Sequence, residues 1–322
     1  MMFQSKLGWI DGQWNPITGC FRKECEWCVS RRYAARNKGD YRLNLRNGKY
    51  HIENGFYVLD EAFTSETGSL LSMPFGFEPT YHKYRMHQLD SLKGTRNLLV
   101  CGEGEMFGPW VPEKYITEIF ETCMAHPKNH YLFLTAYPER YHTLARKGLL
   151  PDGDGFWYGA SYTKGFLTNA HTYLNNNYHR FLAVMPIMGP AIVSGDVEWV
   201  IIGADSRRTS ERIIPDESWI TGAVCECRKQ GIKVFTDRIT DTLIPEEYRQ
   251  HDIPELLQQK LPGDKRDLRI SAECPGCKKK YRKNEMVSIS IRRKRHGQMK
   301  TLMHLCEDCF SEMKSHYGVE EL

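Results

Sequence analysis

Two stretches of the sequence indicate the fold, Asn97-Leu-Leu-Val-Cys-Gly102 and, further along the chain, Tyr131-Leu-Phe-Leu-Thr135. Each is a short apolar run bounded by glycine, proline or charged residues, which is typical of a buried strand. Between them, Pro112–His126 spaces its apolar residues so that they share one helical face. A buried strand, an amphipathic helix and a second buried strand predict a βαβ unit with parallel strands.

The same alternation continues to Asp237, with a second amphipathic segment at Asp216–Gln230. Near-continuous apolar strands separated by helices indicate a parallel sheet covered on both sides. Units of roughly 17–35 residues fit a βα barrel closed by right-handed crossovers better than a short open sheet. The predicted fold class is α/β, a complete or partial TIM-type βα barrel. Further strand candidates are Phe156–Ser161, Arg180–Met185, Val197–Gly203 and Ile232–Thr236.

Composition and local pattern divide the chain into three predicted parts. Residues 1–244 form the barrel, with a polar, glycine-rich insertion or hairpin at about 39–76. Residues 245–264 are predicted as a linker helix and residues 265–322 as a separate small module. The 322 residues are 41% hydrophobic and 26% charged, which is typical of a globular protein and excludes disordered and fibrous proteins.

Charge and hydropathy indicate the partners. No apolar run approaches the ~20 residues that span a bilayer, and Met1–Gly12 lacks a signal-peptide pattern, so we expect a cytoplasmic protein without a membrane partner. The net charge is +4. It is unevenly spread, because Asp264–Lys300 holds 13 Lys or Arg against 4 Asp or Glu. This basic segment favours a polyanionic partner, and a solvated lysine-rich surface is the alternative.

Two CxxC pairs lie near the C-terminus, Cys274-Pro-Gly-Cys277 and Cys306-Glu-Asp-Cys309. Without a signal peptide, metal binding is favoured over disulfides. Four thiolates from two such turns predict a closed, structural Zn²⁺ site, which a module of this size needs in order to fold. A second iron–sulfur cluster or four unligated thiols are the alternatives. Between the pairs, Arg292-Arg-Lys-Arg295 predicts the basic tip of a zinc ribbon that binds nucleic acid, with protein docking as the alternative.

Three more cysteines follow the strand candidate Gln13–Thr18 and precede a basic helix that starts at Val29. They occur in Cys20-Phe-Arg-Lys-Glu-Cys25-Glu-Trp-Cys28, within nine residues. Three ligands are one too few for a structural zinc, but they suit an iron–sulfur cluster with one exchangeable iron. Trp27 can pack beside such a centre. The remaining cysteines are predicted to be buried thiols: Cys101, Cys123, Cys225 and Cys227.

This loop resembles the cluster-binding loop of the radical S-adenosylmethionine (radical SAM) superfamily. There the usual spacing is CxxxCxxC, with an aromatic residue before the last cysteine, and this chain has one residue more in the first gap. The resemblance implies a [4Fe–4S] cluster on Cys20, Cys25 and Cys28. It also implies that the unligated iron chelates the amino and carboxylate groups of SAM.

A more extensive resemblance, from about Trp14 to Asp237, is to an uncharacterised phage and bacterial family with a three-cysteine motif and a radical-SAM-like barrel. That family usually has Lys at position 136, Glu at 185 and Glu at 205, where this chain has Ala136, Met185 and Asp205. These differences imply altered or lost chemistry. The matching stretches are Trp14-Asn-Pro-Ile-Thr-Gly-Cys20, Phe77–Arg85, Leu134–Arg140 and Trp199–Ser206.

In such a barrel, functional residues lie at the C-terminal ends of the strands. The resemblance implies that Gly102-Glu-Gly-Glu105 receives the SAM ammonium group, with Glu103 or Glu105 supplying the carboxylate. Ser161 and Asp205 are candidates for contacts to ribose or methionine, and loop polarity or helix capping is their alternative role. His82 and His87 are candidates for lining the site or for surface and capping roles. The resemblance also implies that Gly102 and Gly104 of this segment contact SAM.

The predicted function is a radical SAM-type iron–sulfur enzyme. An electron donor reduces the cluster, SAM is cleaved, and a 5′-deoxyadenosyl radical takes hydrogen from a substrate for which nucleic acid or a nucleotide is the candidate. The alternative is a non-catalytic metal-binding protein, of phage or mobile-element type, that binds nucleic acid or protein. The sequence indicates neither the catalytic residues, the reductant nor the oligomeric state.

Overall fold

The computed structural model forms two compact units, Met1–Leu261 and Pro262–Leu322. Among the helices of the described residues, none is long and apolar enough to cross a membrane. The residues that the structure describes are 7–22, 25–37, 49–65, 67–166, 174–175, 177–193, 197–207, 210–259, 271–278, 280–282, 286–292, 299–306 and 308–311.

The larger unit contains strands and helices close to the predicted positions. Its strands are β1 (Gly12–Trp14), β2 (Ile17–Thr18), β3 (Tyr50–Glu53), β4 (Phe56–Leu59), β5 (Thr80–His82), β6 (Asn97–Val100), β7 (His130–Thr135), β8 (Phe156–Tyr162), β9 (Gly165–Phe166), β10 (His179–Val184), β11 (Ala191–Ile192), β12 (Trp199–Ile202) and β13 (Lys233–Thr236). Its helices are α1 (Val29–Asn37), α2 (Glu113–Ala125), α3 (Glu139–Arg146), α4 (Glu217–Lys229), α5 (Arg238–Asp241) and α6 (Glu255–Gln258), with 3₁₀ helices at Lys83–Ser91 and Glu246–Tyr248.

Seven strands form one parallel sheet in the order β1-β6-β7-β8-β10-β12-β13. Since each strand is added at the same edge in chain order, the sheet is a half-barrel of the α/β class. In the described part of the chain no pairing joins β1 to β13, so the predicted closed TIM-type barrel is not confirmed. Residues 49–65 and 67–91 contain a hairpin, a short strand and a 3₁₀ helix instead of further βα units.

Both faces of the half-barrel are covered by apolar residues, as the continuous apolar strands predict. On one face, strand residues such as Val100 and Phe133 pack against α2 and α3. On the other face, alternate strand residues form a second cluster with Trp9, whose ring centroid lies 6.5 Å from Phe181 and 6.0 Å from Trp199. Each such buried side chain contributes about 1.5–3 kcal/mol to stability.

A second sheet, in the order β2-β5-β4-β3, lies at the start of the chain. Its β3–β4 hairpin turns at Asn54 and Gly55, whose φ angles of 52° and 82° are left-handed, as the residues of such a turn require. A hairpin therefore exists within the predicted insertion, of which residues 39–48 and 66 lie outside the described residues. The predicted single strand Gln13–Thr18 is two strands, because β1 joins the half-barrel and β2 joins the second sheet.

The region predicted as a linker helix contains the 3₁₀ helix Glu246–Tyr248 and α6. Leu257 of α6 is buried in the cluster around Trp9, and its carbonyl oxygen accepts a hydrogen bond from Asn97 Nδ2 at 2.8 Å. The smaller unit has two antiparallel pairs of strands, β14 (Ser271–Glu273) with β15 (Lys280–Arg282), and β16 (Met286–Arg292) with β17 (Met299–Cys306). Residues 293–295 of the basic tip lie outside the described residues.

Close packing inside the half-barrel predicts a sensitive position in β8. A Cβ at Gly159 would lie 2.3 Å from Cζ of the fully buried Phe181. Gly159→Ala is therefore expected to lower the free energy of unfolding by about 1–3 kcal/mol, measured by urea denaturation. The control is Gly222→Ala in α4, where nothing lies within 4 Å of the new methyl group. It is expected to raise the free energy by about 0.5–1 kcal/mol. Equal stability of the two variants would contradict this packing.

Candidate functional site

Cys20, Cys25 and Cys28 line one cavity of about 190 Å³ in the larger unit. Its other walls come from residues that follow β6 and from the ends of β7 and β8. Because these strands are parallel, their carboxyl ends meet at one edge of the sheet, where functional residues collect in such folds. The structure thus brings the following sequence-predicted residues to one cavity: Cys20, Cys25, Cys28, Gly102, Gly104, Glu105 and Ser161.

Gly19 fixes the start of the cysteine loop. Its φ of 84° is left-handed, and a Cβ there would lie 2.4 Å from the carbonyl oxygen of Glu78, so only glycine fits. Its backbone nitrogen donates to the carbonyl oxygen of Glu103 at 3.0 Å, and its own carbonyl oxygen accepts from the nitrogen of Glu105 at 3.0 Å. The backbone just before Cys20 is therefore held against the segment that follows β6.

Backbone nitrogens donate to two of the thiol sulfurs. The nitrogen of Arg22 lies 3.3 Å from Cys20 Sγ, and that of Arg31 lies 3.4 Å from Cys28 Sγ. The nitrogen of Cys28 also donates to the carbonyl oxygen of Cys25 at 3.1 Å, which makes a turn between these two cysteines. Burial nevertheless raises the pKa of Cys20 to about 12. Metal binding at this thiol must therefore displace its proton.

Glu105 is the carboxylate that lines the cavity. It is 7% exposed, and it accepts hydrogen bonds from Thr135 Oγ1 at 2.5 Å, from the nitrogen of Ala136 at 3.0 Å and from the nitrogen of Phe107 at 3.1 Å. Burial raises its pKa, and these hydrogen bonds oppose the rise. A cation bound in the cavity would favour the ionised form of Glu105.

Three other residues predicted for this site do not line the cavity: Trp27, Glu103 and Asp205. Glu103 holds the loop through its backbone, since its nitrogen also donates to Asn15 Oδ1 at 3.1 Å. Trp27 is half-buried in the loop. Asp205 is buried and paired with Arg207, whose Nε donates to Asp205 Oδ2 at 2.5 Å. Although burial opposes it, the hydrogen bonds from Arg207 and Ile213 hold the pKa of Asp205 below its usual value. Its carboxylate therefore braces its own loop.

The two motifs Trp14–Cys20 and Phe77–Arg85 meet through His82. His82 is fully buried, with Nε2 2.9 Å from Thr18 Oγ1 and Nδ1 3.2 Å from the hydroxyl of Tyr84. Burial keeps its pKa well below the usual value, so the ring is neutral at physiological pH. Because Thr18 precedes Gly19, this contact supports the backbone that carries the first cysteine.

Arg85 extends the same support. Its Nη1 donates to the carbonyl oxygen of Asn15 at 2.7 Å and its Nη2 to that of Ser72 at 2.6 Å. Its own carbonyl oxygen accepts from Trp14 Nε1 at 3.0 Å. His87, by contrast, is exposed and lies 3.6 Å from a carboxylate oxygen of Asp90. Neither of these two histidines lines the cavity. His82 supports the backbone that precedes the cysteine loop, through its contact with Thr18.

Cys101 was predicted only as a buried thiol, yet it also lines the cavity. It is 2% exposed, its φ of 57° is left-handed, and its sulfur accepts from the nitrogen of Ile17 at 3.4 Å. The one signal in the sequence is its position directly after the β6 run and before Gly102. The contact with Ile17 joins residues 84 positions apart, which periodicity does not show.

A second group of thiols lies in the smaller unit. The sulfurs of Cys274, Cys277 and Cys309 lie within 4.8 Å of one another, so this group could bind a metal ion. Gly276 allows the approach, since a Cβ there would lie 2.8 Å from Cys309 Sγ. The predicted fourth ligand, Cys306, ends β17, and its side chain lies outside the described residues.

The buried contacts of His82 predict a large effect of its removal. His82→Ala leaves Thr18 Oγ1 and the Tyr84 hydroxyl without this partner and opens a cavity, so the free energy of unfolding should fall by about 2–4 kcal/mol. The matched control His87→Ala removes an exposed side chain and should change it by less than about 0.5 kcal/mol. Thermal or urea unfolding measures both, and equal effects would show that His82 does not support the loop.

Comparisons with known proteins give one match. No curated protein and no solved structure matches the chain. Residues 4–241 match a family described as Protein of unknown function (DUF5131), which confirms the predicted resemblance to an uncharacterised family. The match covers the half-barrel and the cysteine loop and ends before the C-terminal thiols. The chain therefore belongs to the DUF5131 family.

Proposed function

We propose that this protein is an iron–sulfur enzyme of the radical SAM type, with a [4Fe–4S] cluster on Cys20, Cys25 and Cys28. The observation that carries the proposal is that three thiols from one loop share a cavity with the buried Glu105 at the carboxyl edge of a parallel half-barrel. A half-barrel suffices, because the cavity walls come from the loop and from the region of β6, β7 and β8.

The donor set fits a cluster better than a single zinc ion. Zn–S bonds of about 2.3 Å bring thiolates to within about 4 Å of one another. Among the described residues, the three thiols that lie within 4.8 Å of one another are those of Cys274, Cys277 and Cys309. The thiols of the N-terminal loop do not form such a group. A four-iron cluster spaces its thiolates more widely, because each binds a different iron. Three protein ligands also leave one iron for an exchangeable ligand.

The chain's own residues then bind and orient the co-substrate. When bound, the cluster and SAM supply a 5′-deoxyadenosyl radical that takes a hydrogen atom from the substrate. Glu105 accepts the ammonium group, because its carboxylate is already oriented by three donors. Gly102 and Gly104 line the cavity, and Ser161 offers a hydroxyl to the bound molecule. Ala136 takes part through its backbone nitrogen, which donates to Glu105.

The substrate class that we propose is a nucleic acid or a nucleotide. The support is the surplus of nine positive charges in Asp264–Lys300, obtained from 13 Lys or Arg and 4 Asp or Glu. A surplus of this size binds a phosphate backbone with an affinity that falls as salt rises. An external electron donor is needed as well. We also propose a reducing compartment such as the cytoplasm, because thiolate ligands require reduced cysteines.

For the smaller unit we propose one Zn²⁺ ion on Cys274, Cys277 and Cys309, with Cys306 as the fourth ligand. The three thiols already lie at the spacing of a tetrahedral thiolate site. The nitrogen of Lys278 donates to the carbonyl oxygen of Cys274 at 2.8 Å, and the left-handed φ of 60° at Lys278 completes a tight turn around the ligands. Four protein ligands leave no open position, so this zinc is structural.

The central test measures SAM cleavage. Full-length protein purified without oxygen should carry about four irons and four sulfides. Reduction in the presence of SAM should then release 5′-deoxyadenosine. Cys25→Ala should lower that rate by at least about 100-fold, because two thiolates do not hold a cluster with a free iron. The control Cys225→Ala changes a half-buried thiol of α4 and should leave the rate unchanged. Iron-free protein with zinc at both sites would instead support a non-catalytic metal-binding protein.

The zinc proposal has a separate test. Cys274→Ser should lower bound zinc from about one ion per chain to near zero and make residues 262–322 sensitive to protease, since a small unit depends on its metal. Bound iron should not change. Metal analysis and limited proteolysis of the full chain measure both, with Cys225→Ser as control. Unchanged zinc in Cys274→Ser would exclude this ligand set.

A further inference from the structure

Arg31, in the first turn of α1, contacts the cysteine loop at both of its ends. Its guanidinium Nη2 donates to the carbonyl oxygen of Cys20 at 3.2 Å and also to that of Arg22. Its backbone nitrogen donates to Cys28 Sγ at 3.4 Å. One residue therefore connects the first and the third of the proposed ligands.

The side chain of Arg31 is itself held in place. Its guanidinium carbon lies 4.7 Å from the ring centroid of Phe77. The carbonyl oxygen of Phe77 in turn accepts from the nitrogen of Cys20 at 3.0 Å. A planar guanidinium can stack on a ring and donate to carbonyl oxygens at the same time, and an ammonium group cannot reproduce that geometry. Arg31, Phe77 and Cys20 thus form a closed set of contacts around the loop.

Arg31 also brings a permanent positive charge to the thiols. It lines the same cavity as the three cysteines, and its Nε is buried without a hydrogen-bond partner among the described residues. An arginine stays protonated at every physiological pH. A fixed cation at this position stabilises any added negative charge nearby, and the effect is larger in a cavity than in water.

We infer that Arg31 is a positioning residue that holds the cysteine loop closed and makes its metal centre easier to reduce. The redox part rests on the proposed cluster. The closing of the loop does not, because Arg31 makes these contacts with backbone and ring atoms of the protein itself.

The first experiment tests the loop without any metal. Reduced, metal-free full-length protein is treated with iodoacetamide, and labelling of each cysteine is followed by mass spectrometry. Arg31→Ala should raise the labelling rate of Cys20 and Cys28 by about tenfold, because local opening exposes thiols that the closed loop shields. The control Arg36→Ala removes an exposed arginine of the same helix and should leave both rates unchanged.

Two controls separate local opening of the loop from unfolding of the whole protein. The fully buried Cys123 reports global unfolding, since its labelling rises only if the whole variant unfolds. If Arg31→Ala does unfold, Arg31→Lys answers the question: it keeps the charge but not the planar set of donors, so Cys20 should still be labelled faster while Cys123 is not. Unchanged labelling of Cys20 in the folded Arg31 variants, or an equal increase in Arg36→Ala, would overturn the inference.

The second experiment tests the charge on reconstituted protein by redox titration followed by electron paramagnetic resonance. Arg31→Ala should lower the ratio of reduced to oxidised cluster at a fixed potential by about tenfold, ~59 mV for one electron. Arg31→Lys should restore most of this shift. An unchanged potential in Arg31→Ala would overturn the redox part. If the wild-type protein binds no iron while the labelling result holds, the proposed function fails and the closing role of Arg31 stands.

Discussion

The close approach of two backbone segments, at Gly19 and Gly104, is the contact on which the site depends. Beyond the paired strands β1 and β6, these two glycines form an isolated parallel bridge. A Cβ at Gly104 would lie 2.8 Å from Cα of Thr18, so no other residue allows the bridge. It is shifted by one residue from the register of β1 and β6, and it places the cysteine loop over the carboxyl ends of β6, β7 and β8.

The cavity formed in this way disfavours negative charge until a cation binds. Burial raises the pKa of Cys20, of Cys101 and of Glu105. The three groups share one cavity wall, so each would gain from the same bound cation. Under the proposed function, iron ions and the positive groups of SAM would supply such charge. Metal binding, ionisation of the thiols and co-substrate binding would then be coupled at this wall.

Local features of the fold could be predicted from the sequence, and features that depend on distant contacts could not. Apolar runs predicted β6, β7, β8, β10, β12 and β13 within about two residues, since the residues of a buried strand are themselves apolar. Closure of the barrel depends on pairing between the first and last strands, and periodicity carries no such information. The lining role of Cys101 and the support from His82 depend likewise on Ile17 and Thr18, which are distant in the sequence. Asp205 differs, because its partner Arg207 is only two residues away.

The strand ends beyond β8 differ from the part of the edge that lines the cavity. Met185 follows β10 and packs on the next strand end, since a Cβ at Gly203 would lie 2.8 Å from Met185 Cγ. The buried pair of Asp205 and Arg207 occupies the loop after β12. The Asp205 carboxylate after β12 is thus already paired, whereas Glu105, Ser161 and the thiols line the open cavity. A ligand of this cavity would therefore bind on the side of β6 to β8, next to the cysteine loop.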